Sequence, residues 1–213
     1  MPPDIREALS GISFSDLASV KRLSLHGARE VGLSYNLSTE RSAISHDVVF
    51  NGIRYYIYQS NAVDEAEWNV LEKAGVPLIS DRIIPLKGWI FALPIPLNTT
   101  RIDNIPLREE EFTGGGYLGA MEIMSKLGLH LAQIYRGSGK LPGTCDTGDI
   151  ALVNGSPDFI RLVPPLNLKE DISIDDLAGC LLTDLRLSDP DNRHVNQIKA
   201  MRKAYYQYLS KNG

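Results

Sequence analysis

The chain has 213 residues, enough to bury the core of one large domain or of two closely joined lobes. Lys and Arg number 22 against 26 Asp and Glu, so the formal net charge is −4. This mild acidity argues against a nucleic-acid-binding surface that covers the whole protein. The two cysteines and the four scattered histidines likewise argue against a disulfide framework and a regularly spaced zinc site.

The N-terminal sequence and the hydropathy predict where the protein resides. The opening MPPDIREALSG has neither the basic n-region nor the apolar h-region of a signal peptide. No apolar run approaches the ~18 residues that a membrane span needs. We therefore expect a cytoplasmic protein without a membrane partner.

The first elements in chain order are a helix and a β-hairpin. Apolar residues at roughly helical spacing predict a helix over residues 3–24, and β structure follows over 32–59. Asn51 and Gly52 separate two runs of β-branched and aromatic residues. This pair is typical of a tight hairpin because both turn positions need φ > 0.

One helix and two short strands are predicted next. An apolar stripe predicts a helix over residues 63–77. The following segment predicts strands over about 78–84 and 88–93. Pro94 and Pro96 are expected to stop the second strand, because proline cannot donate to a ladder.

The second half of the chain is predicted to be mainly helical. Residues 98–116 are polar and end in three glycines, which indicates a joint. A long helix is predicted up to Gly137, and residues 149–163 predict a hairpin. Two further helices are predicted over about 174–187 and 191–209.

This order of elements predicts an α+β fold with two lobes. Residues 1–96 are expected to form the N-terminal helix and a β-rich lobe with one internal helix. Residues 97–116 are expected to be the linker, and residues 117–213 a helical lobe with one hairpin. Together the lobes are predicted to make one domain.

The element order and several local patterns resemble the protein-kinase-like fold. The resemblance is greatest to the small atypical kinases and aminoglycoside-phosphotransferase-like enzymes of bacteria, and it covers about 28–210. RYYIYQ resembles the third strand, EAEWNVLEKAGVP the helix after it, and WIFALPIPL the strand before the hinge. GTCDTGDIALVNG resembles the catalytic loop H-G-D-x-x-x-x-N-I-L-V-x-x-G.

The resemblance implies a site that has lost its chemistry. Phosphoryl transfer in this family uses a lysine for the phosphates, an Asp for the acceptor hydroxyl, and an Asn and a second Asp for Mg²⁺. The matching positions hold Tyr58, Thr144, Asp149 and Val163, in that order. Only Asp149 can still ligate a metal. Asp146, three residues before Asp149, is the other acid in this loop.

The resemblance also implies roles for the first lobe. Glu67, or else Glu65, stands in the place of the glutamate that pairs with the strand lysine. Without that lysine, Glu67 is expected on a solvated helix face or beside an arginine. The backbone of Ala92, Leu93 and Ile95 occupies the hinge position, where an adenine would bind.

The C-terminal segment QIKAMRKAYYQYLSK is both basic and aromatic. Its apolar residues recur at helical spacing. This pattern favours a packed terminal helix over a nucleic-acid-binding patch.

The resulting hypothesis is a pseudokinase. We expect a binding or regulatory scaffold with a protein partner, with at most weak nucleotide binding and no nucleic acid. The sequence leaves open whether it is an enzyme, although the lost catalytic residues favour a protein without activity; an active form would be an ATP-dependent phosphotransferase, and ATP and Mg²⁺ are the only candidate cofactors. One alternative is an active phosphotransferase for a small molecule, which would use Asp146 and Asp149 with Arg54 or Lys87 as its cation. The other is an adaptor whose kinase resemblance is accidental.

Overall fold

The fold is described from a computed structural model. The predicted helix over 3–24 lies outside the described residues apart from Arg6, and so does most of the predicted linker. The described residues are 6, 28–35, 44–59, 65–85, 90–101, 116–143, 145, 147–153, 160–163, 166–188 and 194–212.

Within these residues the chain forms ten strands and four α-helices, which confirms the α+β class. The strands are β1 Ala28–Tyr35, β2 Ile44–Phe50, β3 Ile53–Gln59, β4 Ile84–Pro85, β5 Ile90–Ile95, β6 Thr99–Arg101, β7 Leu141–Pro142, β8 Ile150–Val153, β9 Ile160–Leu162 and β10 Leu168–Lys169. The helices are α1 Glu65–Lys73, α2 Gly116–Ser138, α3 Ile174–Ser188 and α4 His194–Asn212. None of these four helices is long and apolar enough to cross a membrane.

The chain divides into two compact units. The first comprises Met1–Val63 with Ile79–Leu97, and the second comprises Asp64–Leu78 with Asn98–Gly213. The division differs from the predicted lobes at α1, which clusters with the second unit. The reason is packing, because Leu71 of α1 is fully buried in the core of that unit.

The first unit contains a five-stranded antiparallel sheet in the order β1-β2-β3-β5-β4. Asn51 and Gly52 have φ of 50° and 76°, so the predicted hairpin between β2 and β3 is confirmed. The buried apolar side chains of this unit include Phe50, Tyr55, Ile57, Ile79, Ala92, Leu93 and Ile95.

The prediction that Pro94 ends its strand is wrong. β5 continues to Ile95, and Pro94 pairs with Tyr55 of β3. β4 pairs with β5 only at Phe91 and Ala92, so it ends before Pro94 is reached. Proline has no N–H to donate, and at this position no described strand pairs with the β4 side of β5. The missing donor therefore interrupts no second set of interstrand hydrogen bonds among the described strands.

The second unit is built on a helical core. Side chains of all four helices and of strands β7, β8 and β9 form one buried apolar cluster. α2 and α4 approach so closely that a Cβ on Gly128 would overlap the Met201 carbonyl and lie 2.8 Å from its carbon. Glycine at 128 is therefore required for the two helix backbones to touch.

The hairpin and the helices of this unit were predicted well. β8 and β9 pair antiparallel as expected, and β6 adds a third strand from residues assigned to the linker. α3 begins as predicted after Ser173, whose backbone N–H donates to Asp176 Oδ2 at 2.9 Å. The Asp176 N–H donates back to Ser173 Oγ at 3.2 Å, so the pair forms a capping box. The Ser173 hydroxyl also lowers the pKa of Asp176.

Candidate functional site

The site lies in the second unit, in two segments that we call the loop cluster: residues 141–149 and 163–169. β7 and β10 pair within it, with Leu168 opposite Pro142. The Gly143 N–H lies 2.9 Å from the carbonyl oxygen of Asn167 and 3.2 Å from that of Leu166. These contacts tie the segment before β8 to the segment after β9.

Asp149 ends a short 3-10 turn, Thr147–Asp149, directly before β8. Only 3% of Asp149 is exposed, so its carboxylate is held inside the protein. Its carbonyl oxygen accepts a hydrogen bond from the Val163 N–H at 2.8 Å. The two predicted metal positions are thus neighbours through the backbone, but one of them holds an apolar side chain that is also 3% exposed.

Glu67 connects α1 to the loop cluster. Its Oε1 accepts a hydrogen bond from the Leu166 N–H at 2.7 Å, and its Oε2 accepts one from the Leu168 N–H at 3.1 Å. Hydrogen bonds to a charged acceptor are among the strong ones in proteins. The expectation of a solvated Glu67 is therefore wrong, because its two oxygens accept hydrogen bonds from half-buried backbone amides 99 and 101 residues away. The alternative expectation, an arginine partner, stays a prediction.

Two further contacts hold the segment after α1 against the same unit. The Pro77 carbonyl oxygen accepts from the Leu162 N–H at 2.9 Å, and Leu78 forms a parallel bridge with Leu162. Gly75, with φ of 67°, ends α1 and turns the chain toward them. The helix ends at Lys73, before the predicted limit at residue 77.

The predicted nucleotide-facing residues lie in the first unit. Tyr58 is on β3 opposite Phe91 of β5. Ala92, Leu93 and Ile95 are on β5 opposite residues of β3, and all three are buried. The structure therefore places these four residues on adjacent strands, and their role toward adenine stays a prediction.

The remaining predicted positions are the candidate catalytic groups and cations. Thr144, Asp146 and Lys87 lie outside the described residues. The Arg54 guanidinium donates to the Leu97 carbonyl oxygen at 3.2 Å, within the first unit. No group of three His, Cys, Asp or Glu side chains suited to a metal occurs in the part of the chain that the structure describes. Metal binding by Asp149 stays a prediction.

A buried histidine on α2 was not predicted. His130 is 9% exposed, and its Nδ1 lies 3.0 Å from Gln133 Oε1. With Nδ1 donating to that oxygen, Nε2 is an acceptor that finds no hydrogen-bond partner among the described residues. Burial lowers the pKa of His130, the Gln133 bond opposes this, and the charges of Arg161 and Lys126 lower it further.

Comparisons with known proteins give weak likenesses only. No protein-family model and no curated protein matches the chain. A structure titled vaccinia related kinase 3 is 10% identical, with a TM-score of 0.44, over 93% of this chain and 79% of that one. A structure of Cex1p is 12% identical, with a TM-score of 0.35, over 91% of this chain and 37% of that one. At such TM-scores neither protein's activity passes to this chain.

Proposed function

We propose that this chain is a catalytically degenerate protein-kinase-like protein that acts as a binding or regulatory scaffold, with at most weak nucleotide binding. The order of elements along the chain supports the proposal. A hairpin and a short helix precede a further strand, and a long helix, a loop, a second hairpin and two helices follow. The same order of elements occurs in the protein-kinase-like fold that the sequence resembles.

The observation that carries the proposal is the bonding of Glu67. In the resemblance, this acid holds a lysine that binds phosphate, but the lysine position is Tyr58. Both Glu67 oxygens accept backbone N–H groups at 2.7 and 3.1 Å. The acid thus has a structural task, anchoring α1 to the loop cluster, that needs no lysine and no nucleotide.

The metal position supports the same proposal. Val163 stands where the resemblance requires a carboxylate for Mg²⁺, and its side chain is buried. A valine supplies no oxygen ligand, and Mg²⁺ takes oxygen ligands almost exclusively. With neither the lysine nor this Asp, the phosphates of ATP would lack two of their usual counter-charges.

The first test is thermal unfolding with ATP and Mg²⁺ up to millimolar concentrations, compared with ATP and EDTA. A ligand at 100 times its Kd, bound only to the folded state, stabilises by about 2.7 kcal/mol, which is readily measured as a shifted midpoint. The scaffold predicts no Mg²⁺-dependent shift and no release of phosphate from ATP. A Mg²⁺-dependent shift together with phosphate release would refute it.

The second candidate, a divergent phosphotransferase, is favoured by one observation. Asp149 is a carboxylate kept almost fully buried at the position of a metal ligand. If it holds Mg²⁺, Asp149→Ala would abolish ATP turnover, whereas Asp149→Asn, which supplies the amide oxygen that the family uses at this position, would retain part of it. Urea midpoints of the two variants separate a lost ligand from lost folding. The third candidate is an adaptor whose kinase resemblance is accidental. It would also bind a protein partner, and ATP would not change its thermal midpoint at all.

A further inference from the structure

The C-terminal helix α4 is unlike the rest of the chain in charge. It carries Lys199, Arg202, Lys203 and Lys211 and no Asp or Glu, in a chain whose formal net charge is −4. Its apolar side packs in the helical core through Ile198, Met201 and Tyr205. The packed terminal helix expected from the sequence is confirmed, and its solvent side is a concentrated positive surface.

Three of these four cations, Lys199, Lys203 and Lys211, are exposed and have no ion-pair partner among the described residues. Arg202 Nη2 pairs with Asp175 Oδ1 of α3 at 2.5 Å. Lys199 and Lys203 are exposed, and neither has an ion-pair or hydrogen-bond partner among the residues that the structure describes. They are four residues apart, and Tyr206 follows three residues later, so the three side chains share one stripe of the helix.

Tyr206 of this stripe contacts the ring of Tyr205, which in turn contacts Tyr135 of α2. Tyr205 is 4% exposed, with ring centroids 6.2 Å from Tyr135 of α2 and 5.3 Å from Tyr206. The outer rings are 41% exposed at Tyr135 and 50% exposed at Tyr206. Burial, aided by the two neighbouring tyrosines, raises the pKa of Tyr205 to about 12, so its hydroxyl adds no negative charge at neutral pH.

An exposed tyrosine on one stripe with two exposed lysines matches a partner of defined chemistry. Tyrosine gives a large contact area at low entropic cost and is enriched in protein interfaces. The two lysines make no ion pair with the described residues, so they can accept carboxylates of a partner. The two lysines of this stripe are few for a nucleic acid, whose binding is dominated by many phosphate contacts.

We propose that the α4 face formed by Lys199, Lys203 and Tyr206 binds an acidic, apolar-containing segment of a partner protein. The carboxylates of that segment meet the two lysines, and its apolar side chains cover the exposed Tyr206 ring. The inference stands on α4 and does not rest on the kinase-like proposal. A positive or negative result with ATP therefore leaves it unchanged.

The test is fluorescence anisotropy of a fluorescein-labelled peptide of Glu and Leu with the full chain. The peptide should bind, and added salt should weaken the binding. Lys199→Glu and Lys203→Glu should each lower the affinity about tenfold, which is about 1.4 kcal/mol. Tyr206→Ser should weaken it at all salt concentrations. Lys73→Glu, an equal change of charge at an exposed residue of α1, should have little effect.

Four results would overturn the proposal. The first two are the absence of any anisotropy change with the acidic peptide, and equal binding of a peptide in which Gln replaces Glu. The third is a loss of peptide affinity in Lys73→Glu as large as that in the Lys199 and Lys203 variants. The fourth is equally tight binding of labelled single-stranded DNA. Thermal midpoints show whether each variant is folded. If a charge reversal unfolds the chain, Lys199→Gln and Lys203→Gln carry the same comparison with smaller expected losses.

Discussion

The α2–α4 crossing and the loop cluster belong to the same compact unit but are held by opposite devices. At the crossing, the absence of a side chain at Gly128 lets two helix backbones touch. In the loop cluster, the presence of one carboxylate, Glu67, satisfies two amides of a distant segment. A larger side chain at residue 128 should therefore destabilise the crossing. Removal of the Glu67 carboxylate should destabilise the loop cluster.

The two regions also relate differently to function. The crossing supports α4, whose outer side carries the proposed protein-binding face. In the kinase-like proposal, the loop cluster takes the positions of the catalytic loop and metal segment, whereas its described contacts are structural. A chain that has lost phosphoryl transfer would keep the first region for its partner and the second for its fold.

The largest effect is expected at the crossing. Gly128→Ala places a methyl group inside the Met201 carbonyl, and backbone atoms cannot move aside as a flexible side chain would. We expect a loss of about 3 kcal/mol in the free energy of unfolding, at the upper end for overpacking. Urea unfolding followed by circular dichroism measures it.

A second helical glycine is the matched control. Gly179 of α3 is exposed, and a Cβ there would meet no atom within 4 Å. Gly179→Ala should be neutral or stabilising by up to about 1 kcal/mol, because alanine is the better helix former. Equal destabilisation by the two changes would mean that helix propensity, not the close approach to Met201, explains Gly128.

The next effect is expected in the loop cluster. Glu67→Ala leaves the Leu166 and Leu168 amides without their charged acceptor, at a cost of about 2 kcal/mol. Glu67→Gln keeps one acceptor oxygen and should cost about half as much. Hydrogen exchange at amides 166 and 168 should accelerate in both variants, and most in Glu67→Ala.

Glu72 separates this effect from a general change in α1. It is an exposed acid one to two turns along the same helix, and Glu72→Ala removes a carboxylate from solvent. Its unfolding midpoint and the exchange of amides 166 and 168 should match the unchanged chain. Unaltered exchange in Glu67→Ala would show that the carboxylate does not hold the cluster.

Local patterns were sufficient to predict much of the fold. The Asn51-Gly52 turn and the helices near 116–138 and 174–188 depend on residues close in sequence, so periodicity and turn chemistry reveal them. Pro94 was misjudged because its tolerance depends on where β4 ends. That length is a property of the sheet, not of the sequence around the proline.

The candidate site was predictable only in part. The resemblance assigned Asp149 and Val163 to the two metal positions, and this role stays a prediction, since the backbone bond between the two residues does not test it. The partners of Glu67 lie 99 and 101 residues away, and no local pattern marks them. The membership of α1 in the second unit follows from those same long-range bonds and from Leu71, so it too was invisible in the sequence.

The smallest effect is expected at His130, a buried polar residue of α2. His130 lies two residues beyond Gly128, and burial lowers its pKa below the ordinary 6.5. Above about pH 7 it is neutral in both the folded and the unfolded chain. As the pH falls through 6.5, the unfolded chain binds the proton more readily, so stability is lost.

His130→Gln should remove this pH dependence. The difference in unfolding free energy between the original chain and the variant should shrink on acidification, with a slope of at most about 1.4 kcal/mol per pH unit for one proton. Urea titrations from about pH 8 to about pH 5 span the ordinary range of histidine and measure this difference. Because burial outweighs the charges of Arg161 and Lys126, most of the slope should survive high salt. If high salt abolishes the slope, the charges of Arg161 and Lys126 cause it. If the stability of His130→Gln depends on pH in the same way as that of the original chain, His130 binds a proton as readily in the folded protein as in the unfolded one.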